Sequence, residues 1–226
     1  MMLLAIDATT KTASCALSKD GMLLAFTTLN SKKTHSQTLL PLIDQILKQC
    51  DAKVSDIRGI IVANGPGSFT GLRIALSTVK ALAHPFNTPI YAVSTLKALS
   101  YHGKRFSGLV CPILDARRGQ VYTAVYDHQG AVIKADTWKM VDLLEKLEGK
   151  KVLFVGDGVP VHRGLISDIL GESAYFGDQR EVLNTAIGLF DAYEQGDYTL
   201  SDYKSLEADY LRKPQAEREL EEKSKC

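Results

Sequence analysis

The stretch AIDATTKTASCALSKDG, residues 5 to 21, returns in altered form as ILDARRGQVYTAVYDHQG, residues 113 to 130. Asp7 falls on Asp115, Ala8 on Ala116 and Ala16 on Ala124, each 108 positions later. Farther along, IIVANG (60–65) is matched by LFVGDG (153–158), an apolar triplet, a small residue, Asn or Asp, and Gly. A single pair of Asp-bearing strands could match by chance, but a second matching block in the same order points to a duplication. The spacing from Asp to Asn or Asp differs, 57 residues in one copy and 42 in the other, a difference that loops and the first helix can absorb.

Each copy reads as strand, strand, strand, helix, strand, helix. LLAIDA, TASCALS and MLLAFTTL are short apolar or alternating runs broken by TTK and KDG, the pattern of a three-strand meander. THSQTLLPLIDQILKQC follows as a helix over 34–50: Thr34 and Gln37 have capping-box spacing, and Leu39, Ile43, Ile46 and Cys50 recur at helical intervals, with a bend expected at Pro41. IRGIIVANG is a buried strand, and IALSTVKALAH lies in a helix over 71–84 that Pro85 stops. The predicted fold class is therefore α/β, two tandem ribonuclease-H-like domains with mixed sheets flanked by helices, the plan of the actin, sugar-kinase and Hsp70 superfamily. The expected bounds are 1–104, 105–213, and a charged tail 214–226 whose composition is that of a disordered segment.

Lys and Arg (27) nearly balance Asp and Glu (26), so no global field draws a polyanion to this chain. Cys15, Cys50, Cys111 and Cys226 are far apart with no CxxC pair, which excludes a zinc knuckle and a disulfide framework and suggests free thiols in a reducing, cytoplasmic setting. MMLLAIDATT has no basic lead and no apolar run approaches a membrane span, so neither a secretory leader nor a membrane association is expected.

Asp7, Thr9, Thr10 and Asp115 stand where superfamily members hold a magnesium ion and the phosphates of ATP, and an ATP-dependent phosphotransferase or ATPase using Asp7 and Asp115 is one functional reading. The competing one is that both aspartates cap their hairpin turns. The loop NGPGSFTGLR (64–73) has neither Walker A nor GxGxxG spacing, so Asn64, Gly65, Gly67, Ser68 and Gly71 read as a strand-to-helix turn rather than a phosphate cradle. GPGSFTG is not a nucleophile elbow, and no HxxxH or HExxH pair occurs, so a hydrolase triad and a helical metal site are both unsupported. Helices 34–50 and 71–84 are apolar on more than one face, through Leu39, Leu40, Leu42, Ile43, Ile46 and Leu47 in the first and Leu72, Ile74, Ala75, Leu76, Val79, Ala81, Leu82 and Ala83 in the second, and the candidate interface is His35, Leu39, Leu42, Ile43, Ile46, Leu72, Ala75, Leu76 and Val79. That excess is met either by further burial under the chain's own later segment or, the favoured reading, by a protein partner covering them.

AIDATT, THSQTLLPLI, NGPGSFTGLRIAL, ILDARRGQVYTAVYD and ADYLRKP together resemble the TsaB (YeaZ) family over Met1 to about Pro214. The resemblance implies a non-catalytic scaffold and activator of the complex that makes N6-threonylcarbamoyladenosine at tRNA position 37, needing no cofactor of its own. It implies a heterodimer with the transferase TsaD through the first two helices, a homodimer when TsaD is absent, TsaE and TsaC as further partners, and tRNA met mainly through the complex. The transferase holds a metal through a helical HxxxH-type motif. Here the comparable helix reads HSQTL, with His35 present but Leu39 four residues on, a departure that removes the chelating pair. The same resemblance implies a degenerate cleft in which Asp7 and Asp115 are structural.

Overall fold

The computed structural model describes residues 1–178, 183 and 185–212. Strands β1 (Met2–Asp7), β2 (Thr12–Lys19) and β3 (Met22–Asn30) form the opening meander, followed by helix α1 (His35–Gln49), β4 (Ile57–Gly65), α2 (Phe69–Ala83), β5 (Ile90–Ser94) and α3 (Thr95–Ser100). The series then repeats as β6 (Leu109–Asp115), β7 (Gln120–Tyr126), β8 (Ala131–Lys139), α4 (Met140–Leu147), β9 (Val152–Val155), α5 (Val159–Leu170) and β10 (Ala174–Phe176). Helix α6 (Ile187–Glu194) and β11 (Thr199–Ser201) close the described chain.

The duplication is visible in the pairing. β1 runs antiparallel to β2 and parallel to β4, and β6 runs antiparallel to β7 and parallel to β9. The first sheet has the order β11-β5-β4-β1-β2-β3 and the second β10-β9-β6-β7-β8. Helices α1 and α2 cover one face of the first sheet, α4 and α5 one face of the second. Between the sheets lies α3, whose Ala98 meets the first sheet and whose Leu96 and Leu99 meet Val110, Leu114, Ala124 and Val155 of the second.

The second unit does not keep the whole of its expected extent, 105–213. α6 packs on the first sheet through Ala186, Leu189 and Ala192, β11 pairs with β5, and Leu206 enters the core under α1 and α2. The chain returns because α3 leaves the opposite face of the first sheet only partly covered, and the apolar side of α6 is what completes it. The tail 214–226 and Cys226 lie outside the described residues, while Cys15, Cys50 and Cys111 are free thiols.

α1 runs unbroken through Pro41, and the Gln37 side-chain oxygen accepts the Thr34 backbone N–H at 3.2 Å. α2 starts at Phe69, two residues before the expected Gly71, because the Ser68 hydroxyl caps it by accepting the Gly71 N–H at 3.3 Å. Among the described residues no helix is long and apolar enough to cross a membrane.

Candidate functional site

Two places in the fold collect the residues singled out above. The first is the junction of the two hairpins. Asp7 ends β1, is 2% exposed, and its Oδ1 accepts both the Thr9 N–H at 2.8 Å and the Thr9 hydroxyl at 2.7 Å. That arrangement fixes the turn before β2 and is the capping role open to an aspartate at a turn. Asp115, at the equivalent end of β6, is exposed and accepts the Arg117 N–H at 2.8 Å, while its own N–H donates to Asp157 Oδ1 at 3.3 Å. Arg117 and Arg118 both adopt positive φ, 64° and 54°, in this turn.

Asp157 follows β9 and meets its hairpin through the Asp115 N–H, whereas Asn64, next to last in β4, bonds the returning segment instead, its side chain donating to the Glu207 carbonyl and its own carbonyl accepting the Asp209 N–H. Burial pushes the Asp157 carboxyl above its ordinary range, with the negative charges of Asp115 and Asp7 adding to the shift, against the Asp115 N–H and the Lys11 ammonium. His162 on α5 is 7% exposed with its Nε2 unpartnered, and desolvation lowers its basicity against the pull of Asp115. Sequence reasoning misses Asp157, Lys11 and His162 as neighbours of Asp7 and Asp115. The alignment of IIVANG with LFVGDG could have found Asp157, whereas a lone His in a helix carries no such signal. Among the described residues no group of three His, Cys, Asp or Glu is arranged to hold a metal ion.

The loop 64–71 is locked onto the first hairpin. The Ser68 N–H donates to the Thr9 carbonyl at 2.6 Å, and the Asp209 N–H donates to the Asn64 carbonyl at 2.7 Å. Gly65 sits at φ 132°, in a peptide with Pro66 that is cis, and a side chain there would overlap the Asp209 backbone. Gly67 and Gly71 abut the Thr9 and Ala8 carbonyls, so the start of α2 rests directly on the β1–β2 turn. His35, at the start of α1, reaches the same turn, its Nε2–H donating to the Thr10 carbonyl at 2.7 Å. Hairpin, loop and both helix starts thus form one interlocked unit.

The second place is the outer surface of α1 and α2. Of the residues expected to face a partner, His35 lines the groove between the helices, while the others are core: Leu39, Ile43, Ile46, Leu72, Ala75 and Val79 are at most 1% exposed, and Leu42 and Leu76 under 9%. Both helices look two-faced in sequence because each packs on the sheet and on its neighbour. What remains on the surface is an open groove of about 550 Å³ between them, flanked by Leu40, Phe69, Arg73 and Ile74. Leu40 is 55% exposed, the Arg73 guanidinium lies 3.9 Å over the Phe69 ring, and Tyr210 meets that ring from the returning segment at 5.3 Å. His35 lines the groove's end, so this surface is tied through one side chain to the hairpin.

Comparison with known proteins adds the lineage. Residues 24–186 match the family model of TsaD, described as tRNA N6-adenosine threonylcarbamoyltransferase. The tRNA threonylcarbamoyladenosine biosynthesis protein TsaB of Bacillus subtilis is 36% identical over 223 residues, 96% of each chain. This chain belongs to the TsaB family. The TsaB protein of Escherichia coli is 38% identical over 128 residues, 56% of this chain and 55% of its own. A Pseudomonas aeruginosa structure described as similar to peptidase YeaZ superposes with a TM-score of 0.75 at 25% identity, covering 93% of this chain and 99% of that one. As a TsaB-family chain, the protein takes part in the threonylcarbamoyladenosine modification of tRNA.

Proposed function

We propose that this chain is a non-catalytic scaffold and activator that docks a TsaD-type transferase on the α1–α2 groove, with TsaE and TsaC acting in the same complex and tRNA held chiefly by it. The observation that carries the proposal is an apolar surface at Leu40, Phe69 and Ile74 on the two helices whose N-termini are braced on the β1–β2 turn. The closed turn around Asp7 supports the non-catalytic half. Its Oδ1 is occupied by two Thr9 donors, and the Thr9 carbonyl is occupied by the Ser68 N–H.

The interface test must use surface residues. A charge at Ile43 would measure folding, because the side chain is 1% exposed. Leu40→Glu and Arg73→Glu change the charge of the groove at exposed positions and leave the core, including the half-buried Ile74, alone. With either variant, co-purification with a TsaD-type partner should fall sharply while the melting temperature holds. Full retention of the partner by the folded double variant would remove the groove from consideration. The localisation that follows is cytoplasmic, where tRNA is modified.

A further inference from the structure

The near balance of charge over the whole chain conceals an uneven distribution. Residues 1–104 hold 11 Lys and Arg against 5 Asp and Glu, and residues 105–226 hold 16 against 21. Six exposed cations gather at the tips of the two Asp-bearing hairpins. Lys11 lies in the β1–β2 turn, and the segment with Lys32 and Lys33 is tied beside it at both ends, Asn30 pairing with Thr12 and His35 bonding the Thr10 carbonyl. The second copy repeats this arrangement. Arg117 and Arg118 form the β6–β7 turn, Lys139 pairs with Gln120, and the N–H of Met140 donates to the Gly119 carbonyl at 3.1 Å. Among the described residues none of the six has an ion-pair partner, whereas Lys48, Lys97 and Lys104 each have one. The tips face each other, since the Lys11 ammonium acts on the Asp157 carboxyl across the junction.

We propose that the two hairpin tips together form a contact for the phosphate backbone of a folded RNA, which for this chain is the tRNA being modified. An extended polyanion, rather than a single phosphate group, follows from the layout. The carboxylates of Asp7, Asp115 and Asp157 sit behind the tips at the strand ends and repel a phosphate lodged deep between them, while the cations stand exposed around them on two separate loops. Asp136 and Asp142 flank Lys139 in the sequence, so Lys139 contributes least, and Lys11, Lys32, Lys33, Arg117 and Arg118 carry the surface. Cations without carboxylate partners lose nothing on meeting a phosphate and release its condensed counterions. Because His35 joins the first tip to the end of the α1–α2 groove, an RNA on the tips would lie beside a transferase docked on that groove. The contact deepens the proposed function and rests on its reading that tRNA is held in the complex, of which it gives this chain a direct share.

Binding of end-labelled, unmodified tRNA to the purified full chain, followed by fluorescence anisotropy over a salt series, tests it. The parent should bind with a Kd of roughly 1–100 μM near physiological salt, and log K should fall against log salt with a slope of about −3 to −5. Lys32→Gln with Lys33→Gln, and Arg117→Asn with Arg118→Asn, should each weaken binding by about tenfold and flatten the slope by about 2. Asn is chosen for the second pair because it tolerates the positive φ of that turn. In the reconstituted complex the four substitutions together should raise the tRNA concentration for half-maximal modification by about tenfold, while co-purification of the transferase holds. Loss of co-purification therefore reads the groove, and loss of tRNA affinity reads the tips. A parent without salt-dependent tRNA binding overturns the proposal, as does a quadruple variant that binds tRNA like the parent. Displacement of the tRNA by millimolar ATP and magnesium at fixed ionic strength would make the tips a nucleotide site, and polyglutamate bound as tightly as tRNA would make them a surface for an acidic protein. Either result also overturns it.

Discussion

Gly71→Ala is a substitution whose sign separates a docked helix start from an ordinary one. Inside an exposed helix, Gly→Ala gains roughly 0.5–1 kcal/mol by propensity and by narrowing the unfolded ensemble. At Gly71 the added Cβ would lie closer than 3.0 Å to the Ala8 carbonyl oxygen, a backbone atom that no rotamer change can move, and 3.1 Å from His35 Cδ2. Relief requires α2 to lift from the β1–β2 turn. Overpacking of this kind costs about 1–3 kcal/mol, and loosening the Ser68–Thr9 backbone bond costs about 1 kcal/mol more. The net expectation is a loss of about 1–3 kcal/mol, roughly 3–10 °C in melting temperature for a chain of this size. Gly164→Ala supplies the control, since that glycine lies inside α5 with nothing within 4 Å of an added Cβ. It should stabilise by roughly 0.5–1 kcal/mol. Urea denaturation of both variants measures the contrast. A Gly71→Ala protein as stable as Gly164→Ala would show that α2 does not rest on the hairpin.

Other consequences are equally specific. Ile43→Ala should cost about 2–5 kcal/mol by cavity formation, against less than about 0.5 kcal/mol for the exposed Leu40→Ala, in the same unfolding assay. Tyr101→Phe removes the hydroxyl that donates to Asp197, which also pairs with Lys97 at 3.2 Å, and should lower stability by about 1–3 kcal/mol. His162 is held less basic in the fold than in the unfolded chain, so the unfolded state binds the proton first. Stability should fall as pH drops through about 6.5, and His162→Gln should lack that part of the fall in a pH series of unfolding curves. Asp157 has the opposite sign, its carboxyl being raised in the fold. The stability tied to its protonated form is present at acid pH and lost as pH rises through the folded value. Asp157→Asn should therefore be at least as stable as the parent at neutral pH, with the difference shrinking on acidification.

The repeated Asp-bearing hairpins are legible because a duplicated strand keeps its period-2 pattern and its terminal carboxylate, so spacing alone pairs Asp7 with Asp115 across 108 residues. The return of α6 and β11 to the first sheet is not legible, because IGLFDAYE and TLS carry an apolar pattern that fits either sheet equally well. The division of the apolar helix positions between core and groove is not legible for a related reason. Periodicity counts the apolar positions of a helix but cannot divide them between a sheet, a neighbouring helix and solvent, and in α1 the sheet and α2 take all but Leu40. Ser68 shows what local chemistry can add. Its capping bond starts α2 at Phe69, a start that the glycine at position 71 conceals.

Reconstituted tRNA modification, with purified TsaC, TsaD and TsaE, unmodified tRNA, threonine, bicarbonate and ATP, would be scored for the modified nucleoside by mass spectrometry. If this chain acts by docking, modification should depend on adding it, survive Asp115→Ala at the exposed hairpin carboxylate, and be lost with the Leu40→Glu, Arg73→Glu double variant. Loss with Asp115→Ala while the complex still assembles, together with full activity of the groove variant, would instead make the cleft the working site and contradict the scaffold role.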